Sequence, residues 1–428
     1  MKGPLKGPLT GLLSGLLTGL IAPAAAAAPI CLEGAIVHLP SGARETTVVL
    51  EGDEVRSLGE SPAGCEIIDV SGKQITAGLI DPHSELGLVE VGMEGATRDG
   101  DAGGGGLHGD VRAAFKVSDG YNPRSTLIPI ARREGVTAAV LTPGGGLVSG
   151  NAAAAVMAGG SQAEAIESDA VAMVVNLGAR GEGSRAAALQ ELRELLDDAA
   201  VYARNRAGYE RGASRDYTAS RLDLEALQPV LRGELPLLVH LNRASDIEAL
   251  MRLGDELELA LIIAGGAEAW LHADALAERS IPIIVDPLLT TPRSFDALHA
   301  RADNAVLLAE AGVPVMFSAF SAHFSRKLRQ LAGNAVRAGM DPADALAAIT
   351  STPAEVFGLD GMGAVVAGSR ADLVVWSGDP LEVTSWPEAV YIDGVPRSME
   401  SRQTHLLDRY RELPGTPAPP LDPAPSLE

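Results

Sequence analysis

The sequence has little cysteine, a shortage of positive charge and few long apolar runs. Its 428 residues include two cysteines, so a metal site built from several thiolates is excluded. Basic residues number 34 against 56 acidic ones, which gives a net charge of −22. A chain with this charge repels phosphate backbones, and we therefore expect no nucleic-acid partner. Beyond the N-terminal region no apolar run is long enough to span a membrane, so we expect no span in the mature chain.

Residues 1–28 have the features of a secretory signal peptide. Lys2 and Lys6 precede an apolar run over residues 12–21, and an alanine tract follows at residues 24–28. A basic start, a short apolar segment and small residues at its end are typical of such signals. The run is too short and too interrupted by glycine to cross a bilayer. We predict an exported, periplasmic protein; the alternative is a disordered tail rich in alanine and leucine.

The two cysteines, Cys31 and Cys65, both lie soon after this segment. Export permits a disulfide between them, because the compartments outside the cytosol are oxidising. Two buried free thiols are an equally good interpretation. The sequence leaves this choice open.

Short β-rich runs separated by turns occupy both ends of the mature chain. The first set lies in residues 29–74 and the second in residues 360–400. Neither set is large enough to fold well alone, so we expect the two to meet in one small β-sandwich that brackets the middle of the chain. Residues 401–428 form a C-terminal extension, and its proline-rich tail is predicted to be disordered.

Residues 75–359 alternate predicted strands with helices, a pattern typical of a parallel sheet in an α/β protein. Eight such strands close into a (β/α)8 barrel. A helix is indicated over residues 185–206 by apolar residues at helical spacing. The glycine-rich residues 92–121 are predicted to be a long loop over the barrel mouth. The predicted strands cover residues 75–81, 137–142, 151–157, 170–176, 235–240, 260–264, 281–285 and 313–317, and the third of them is alanine-rich and equally compatible with a helix.

The most informative motif is ITAGLIDPHSELGLVEVG, at residues 75–92. An apolar strand there ends in Asp81, Pro82 and His83, and the carboxyl ends of barrel strands are where such barrels do chemistry. The motif resembles the first-strand signature of the amidohydrolase superfamily, PGLID-x-H-x-H, in which two histidines bind a catalytic metal. Glu85 stands at the second histidine position.

Other segments carry the same resemblance. AITSTPAEVFGLDGMGAVVAGSRADLVVWSGDP, followed by VYIDG, is similar to the family's last helix and returning sandwich strands. HSELGLVEV and NPRSTLIPIARREGVT resemble the subgroup of imidazolonepropionase and related amidohydrolases. The resemblance implies an amidohydrolase-like barrel with an attached sandwich, and a hydrolase of carbon–nitrogen bonds other than peptide bonds.

In metal-bearing relatives the ligands follow strands one, four, five and six, and an aspartate follows strand eight. By this resemblance His83 fits the first ligand and His240 the fifth-strand ligand, while the carboxylate of Glu85 can substitute for a histidine. The remaining positions depart from the pattern. The fourth strand ends at Asn176 with no acid until Glu182, and Asn242, Gly265 and Ala319 stand where relatives carry two histidines and the aspartate.

We therefore predict a site in which His83, Glu85 and His240 hold one divalent, zinc-type ion that is weakly bound or absent. His323 and Asp99 are the candidate proton carriers. Structural interpretations stand beside these. In these interpretations the two candidate histidines bind backbone carbonyls, the aspartate is solvated, and His323 packs or caps a helix. Glu85 pairs with Arg98, Arg112 or Lys116.

Two classes of function follow from this site. The first is an amidohydrolase with a reduced or remodelled metal centre that acts on small cyclic amides. The alternative is a metal-free binding or scaffold protein that keeps the barrel pocket, and a metal-independent enzyme in the same mouth is a third hypothesis. Each implies a small-molecule partner. Relatives often pair into homo-oligomers, but nothing in the sequence fixes an interface.

Overall fold

The computed structural model describes residues 28–103, 110–178 and 184–411. Nearly all of the predicted signal peptide and the predicted proline-rich tail lie outside the described residues. The strands are β1 Ile30–Glu33, β2 Ile36–Leu39, β3 Gly42–Glu45, β4 Val48–Glu51, β5 Glu54–Leu58, β6 Glu66–Asp69, β7 Gln74–Ala77, β8 Leu79–Ser84, β9 Val136–Leu141, β10 Val148–Val156, β11 Ile166–Asn176, β12 Leu237–Leu241, β13 Leu261–Gly265, β14 Ile283–Val285, β15 Val315–Phe317, β16 Leu373–Trp376, β17 Pro387–Ile392 and β18 Val395–Pro396.

The helices follow most of the barrel strands and also close the chain. They are α1 Leu127–Arg132, α2 Gln162–Ala165, α3 Arg185–Arg204, α4 Arg206–Glu210, α5 Arg221–Ala226, α6 Gln228–Leu231, α7 Ala244–Leu257, α8 Ala273–Glu278, α9 Asn304–Glu310, α10 Leu328–Ala338, α11 Pro342–Ala347, α12 Ser351–Phe357 and α13 Arg402–Arg411. The helix predicted over residues 185–206 corresponds to α3, which Ser184 caps through a hydrogen bond to the amide of Ala187. Within the described residues, no helix has the length and apolarity needed to cross a bilayer.

Strands β8 to β15 form one eight-stranded sheet in chain order, as the predicted barrel requires. The third strand, β10, differs from the prediction because it runs antiparallel to both β9 and β11. Only residues 142–147 separate β9 from β10, whereas a parallel crossover needs a dozen or more residues. The chain must therefore turn back at this point. The other barrel strands pair in parallel, including β8 with β9 and β11 with β12.

The predicted first barrel strand, residues 75–81, is divided in two. Its first half belongs to β7, which pairs with β2 and β16 outside the barrel. The barrel strand β8 begins only at Leu79. Gly78 separates the two, and a Cβ atom at this position would collide with the side chain of Thr137. The chain can pass from one sheet to the other here because glycine permits that close approach.

The barrel closes through a linker instead of a direct strand pair. β8 and β15 stand at the two ends of the hydrogen-bonded strand order. Between them lie Ala348 and Ile349, from the connection between α11 and α12. The amide of Phe317 in β15 donates to the carbonyl of Ala348 (3.1 Å), and the amide of Ile80 in β8 donates to that of Ile349 (2.9 Å). The linker thus completes the cylinder.

The barrel interior is filled by alternate residues of its strands, because successive side chains of a strand point to opposite faces. The buried cluster includes Val140, Val174, Leu238, Ile284 and Met316. The opposite faces of the same strands pack against the surrounding helices in a second, larger cluster. This alternation determines which residues project into the mouth.

Two further sheets form the predicted sandwich. One has the strand order β5-β4-β1-β6, and the other, β18-β17-β16-β7-β2-β3, combines strands from both ends of the chain. Their facing side chains share one buried cluster, which includes Leu32, Leu50, Ile75 and Leu373. A disulfide joins Cys31 in β1 to Cys65 just before β6, with their Cα atoms 6.0 Å apart.

Candidate active site

The polar mouth of the barrel follows from the two-residue repeat of its strands. Residues two positions beyond the interior residues Val140, Val174, Leu238, Ile284 and Met316 point the same way, at the carboxyl end of each strand. In β8 the register shifts between Asp81 and Ser84, and this irregularity turns His83 towards the other strands. The strand-end residues that this repeat brings to the mouth are Thr142, Asn176, His240, Asp286 and Ser318.

His83 and His240 meet directly at this mouth. Their Nε2 atoms are 2.9 Å apart, and the two rings cross nearly at right angles with centroids 4.7 Å apart. Nδ1 of His83 lies 3.3 Å from the hydroxyl of Thr142. The ring of Phe320 packs against His83 with a centroid distance of 4.8 Å. The two histidines are thus bonded to each other, and the alternative of carbonyl-bound side chains does not describe these Nε2 atoms.

Both histidines are electrically neutral in this setting. Burial, together with the neighbouring His240 ring, holds the pKa of His83 well below its usual 6.5. Burial also lowers the pKa of His240 to about 4. Protonating either ring would place a charge where water is largely excluded. In the pair, one Nε2 therefore carries a hydrogen and donates it, and the other accepts.

Beneath the pair lies a buried carboxyl group. Asp81 is fully buried, and burial raises the pKa of its side chain to about 6. The amide of His83 donates to its Oδ1 atom (3.2 Å). Hydroxyls from Ser318 and Ser325 oppose the rise in pKa. Ser318 also donates to the carbonyl of His83 (2.8 Å), so this group of residues fixes the backbone that carries the histidine.

A cavity of about 490 Å³ opens above the histidine pair. His240 and Phe320 line it, together with the amide side chains of Asn176 and Asn242. Convergent polar groups in a concave site are the usual signature of small-molecule binding. A groove of about 620 Å³ lies at the opposite end of the barrel, beside Pro236 and Pro282, which precede strands. Barrels of this kind carry their chemistry at the carboxyl ends, so the mouth cavity is the candidate site.

The sequence prediction missed Asp286, a carboxyl group in the mouth. It follows β14 directly and lines the cavity. Its Oδ1 accepts from the amide of Leu288 (2.8 Å), and burial raises its pKa, while the charge of Arg293 acts the other way. Asp296 also lines the cavity but is ion-paired with Arg185. The available signal was an acid directly after a predicted strand, at a strand end where the resemblance implied no ligand.

The other predicted site residues lie apart from the histidine pair. Glu85 falls after β8, in a turn where its carbonyl accepts from the amides of Leu88 and Val89, and that turn carries it out of the strand repeat. Its suggested partner Lys116 pairs with Asp169 instead (3.2 Å). Asp99 and His323 are exposed and are not among the residues lining the cavity. Glu182 lies outside the described residues.

A metal ion at this mouth would find two protein donors. Neutral imidazole nitrogens are good ligands for zinc-type ions, and the facing Nε2 atoms of His83 and His240 suit a single ion. Among the described residues, no three histidine, cysteine, aspartate or glutamate side chains are grouped closely enough to hold a metal. Within the described part of the chain, the donors that face each other at the mouth are these two imidazole nitrogens.

These features define an α/β-barrel protein with a histidine pair beneath a polar cavity, and comparisons with known proteins show which proteins it is similar to. The amidohydrolase family model matches residues 235–398. Amidohydrolase tasK of Hapsidospora irregularis is 25% identical over 396 residues, which cover 82% of this chain but only 39% of tasK. An amidohydrolase from Thermotoga maritima MSB8 is 28% identical, with a TM-score of 0.77, and covers 86% of this chain and 99% of that chain.

More distant structures share the fold. Molinate hydrolase is 20% identical with a TM-score of 0.53, and covers 87% of this chain and 95% of that chain. Phenylurea hydrolase B is 17% identical with the same TM-score, and covers 87% of this chain and 97% of that chain. The family model, the relative and the Thermotoga structure agree with the motifs quoted above. The chain is similar to amidohydrolases, and the predicted barrel with its attached β-sandwich is confirmed.

Proposed function

We propose that this protein hydrolyses carbon–nitrogen bonds other than peptide bonds in small molecules, and that its substrates are cyclic amides. The observation that carries the proposal is the pairing of His83 with His240, which lines the mouth cavity. Hydrolases that act on carbon–nitrogen bonds occur among its structural relatives. The proposed centre is reduced: it has two histidine ligands and at most one ion.

Each of the following cavity residues has a proposed role in binding or proton transfer. Phe320 lies over the His83 ring and gives the floor an apolar surface for a flat ring. Asn176 offers its amide oxygen, because its NH2 group donates to the Gly146 carbonyl and the Ser149 hydroxyl. Asn242 offers its NH2 group, because its oxygen accepts from the amide of Ala267. Together they present the acceptor and the donor that a cyclic amide requires. Asp286 is the proposed proton carrier, because a carboxyl with a raised pKa is better matched to proton transfer near neutral pH.

His83 and His240 would hold the metal ion. When bound, a divalent ion of this type would lower the pKa of a water molecule and so supply a nucleophile for a carbonyl carbon. The low pKa values keep both rings neutral, so each ring has one unprotonated nitrogen, and with an ion held by both Nε2 atoms the ring hydrogens would be on Nδ1. Few protein ligands imply weak binding, so the protein is expected to lose the ion readily during purification.

A metal-free binding protein is the second candidate function. It is favoured by the direct hydrogen bond between the two imidazoles, which satisfies both Nε2 atoms without an ion. In this case the same cavity would bind a small amide-bearing ligand without converting it. The two candidates differ in metal content and in turnover, and agree in the location of the ligand.

The test joins metal analysis to a turnover assay. Protein purified without chelators is analysed by inductively coupled plasma mass spectrometry and then titrated with Zn²⁺ and Mn²⁺. Turnover of a panel of hydantoins, lactams and dihydropyrimidines is measured with and without added ion. About one bound ion per chain together with turnover supports the hydrolase, whereas ligand binding with neither metal nor turnover supports the binding protein.

Variants locate the site. His83→Ala and His240→Ala should remove metal binding and turnover, and His299→Ala is the matched control because that side chain is exposed outside the mouth. Asp286→Asn should lower turnover by a factor of about 10² to 10⁴ while metal content stays unchanged. Full turnover in both histidine variants would place the chemistry elsewhere.

We also propose that the protein is exported to the periplasm. The signal-like residues 1–28 motivate the proposal, and the Cys31–Cys65 disulfide supports it because structural disulfides persist in oxidising compartments. Fractionation of cells that express the full chain tests it. Recovery of the unprocessed chain from the cytosol would contradict it.

A further inference from the structure

The C-terminal helix α13 lies on the surface with no buried residue. Its apolar side chains are open to solvent: Leu406, Leu407 and Tyr410 are 39, 57 and 55% exposed. At 3.6 residues per turn these three fall on one face of the helix. A helix of ten residues is marginal in water unless its apolar face packs against something. The apolar face of α13 therefore needs a partner.

The charges of α13 are arranged around that face. Arg402 and Arg409 border one side of it and Arg411 the other, while Asp408 lies on the opposite side of the helix. Three arginines against one aspartate make the segment basic in a chain whose net charge is −22. The partner of α13 should thus combine an apolar floor with an acidic rim.

A groove with this character lies on the same protein. It has a volume of about 560 Å³ and runs between β2 of the sandwich and α11 beside the barrel. Leu39, Leu346 and Leu381 contribute to an apolar floor made largely of leucine, proline and alanine. Carboxylates of Asp341, Asp344 and Asp379 line it, and no lysine or arginine is among its lining residues in the described part of the chain.

We propose that α13 docks into this groove on a second copy of the chain, so that two copies exchange helices reciprocally. The apolar face would cover the leucine floor, and the bordering arginines would meet the aspartates. Among the residues that the structure describes in one chain, α13 has no buried residue and no segment fills the groove, so each suits an occupant of the other's chemistry. Reciprocal exchange uses every helix and every groove once, which gives a closed dimer with two-fold symmetry.

Sedimentation velocity of the full mature chain tests the dimer. The wild type should sediment as a dimer. Leu407→Asp combined with Tyr410→Ser should weaken dimerisation at least tenfold, and so should Arg409→Asp combined with Arg411→Asp. Asp408→Ala, on the opposite face, is the matched control and should remain dimeric. None of these side chains is buried in the chain, so their replacement leaves its core intact.

Rescue and cross-linking identify the contact. Asp344→Arg should weaken the dimer, and adding it to the Arg409→Asp, Arg411→Asp variant should restore at least part of the lost affinity. Mixing a Leu407→Cys chain with a Leu39→Cys chain should give a disulfide that can form only between chains. The proposal is overturned if the wild type is monomeric, if the dimer is insensitive to the α13 substitutions, if both cysteines in one chain give a cross-linked monomer, or if a monomer binds vesicles of anionic lipid through α13.

Discussion

Ionisable side chains are buried both at the junction between sandwich and barrel and at the mouth of the barrel. They form ion pairs at the junction, whereas they are neutral at the mouth. At the junction, Arg370 pairs with Glu167 of β11 (2.6 Å), with Asp372 (3.0 Å) and with Asp393 (2.6 Å). At the mouth, His83 and His240 are neutral and bind each other.

This difference distinguishes residues that stabilise the fold from residues that form the candidate site. A buried charge is tolerated when oppositely charged partners surround it. Removing one partner leaves an unpaired buried charge, which strongly destabilises the protein. Neutral groups with displaced pKa values, held together in a cleft, contribute little to stability and are typical of functional sites. Junction substitutions should therefore act mainly on stability, and mouth substitutions mainly on binding or turnover.

The largest stability effect should come from Arg370→Met. It leaves the carboxylate of Asp372, which is only 4% exposed, without its cation, and we expect a loss of about 3–5 kcal/mol. Urea unfolding followed by circular dichroism measures it. Arg252→Met, which breaks an exposed ion pair with Glu248, is the control and should cost less than about 1 kcal/mol. Equal losses would remove the contrast between buried and exposed pairs.

Replacing both cysteines, as Cys31→Ser with Cys65→Ser, should cost about 2–4 kcal/mol. The bridge spans 34 residues of sequence and restricts the unfolded chain. The bridge lies in the sandwich, so the loss should appear in unfolding midpoints while the metal content and turnover of the mouth are preserved. Loss of metal content or turnover in this double variant would show that the sandwich and the barrel mouth unfold as one unit.

The junction should also give the protein a particular dependence on pH. Burial raises the pKa of Asp372 to about 6 from the ordinary 3.8. The folded state thus holds this proton more tightly, and the resulting stability, present below about pH 4, is lost as the pH rises through about 6. The contribution is at most about 3 kcal/mol. Asp372→Asn should flatten the wild-type slope between these values, and an unchanged slope would reassign it to another group.

The smallest effect is expected at the mouth. His240→Leu leaves Nε2 of the buried His83 without its partner, a cost of about 1–3 kcal/mol that the added apolar surface offsets in part, so the net loss of unfolding free energy should be about 1 kcal/mol. Binding or turnover at the cavity should be lost in the same variant. A destabilisation as large as that of Arg370→Met would make the histidine pair a structural element like the junction.

Much of the barrel could be predicted because strand patterns are local. All eight predicted barrel strands overlap strands of the structure over more than half of their length, although the first is divided between β7 and β8, and the helix predicted at residues 185–206 is α3. The direction of β10 could not be inferred from its own alanine-rich sequence, since direction depends on the short connection before it. The split at Gly78 depends on how closely Thr137 approaches, which is a tertiary property.

The site divides in the same way. The sequence predicts His83 and His240 together because both stand at strand-end positions where the family resemblance implies metal ligands, and the structure brings them together at the mouth. Glu85 is two residues beyond His83, but the turn after Ser84 breaks the repeat on which that prediction relied. The sequence prediction omits Asp286 because the family resemblance implies no ligand at the end of β14, although this strand end also opens on the cavity.

The linker that closes the barrel connects the barrel mouth to the acidic groove. Ala348 and Ile349 hold β15 and β8 together through single peptide hydrogen bonds, and β8 carries His83. The same connection begins at α11, whose residues line the acidic groove. A displacement of α11 would therefore be transmitted through this linker to β15 and β8, and so to His83.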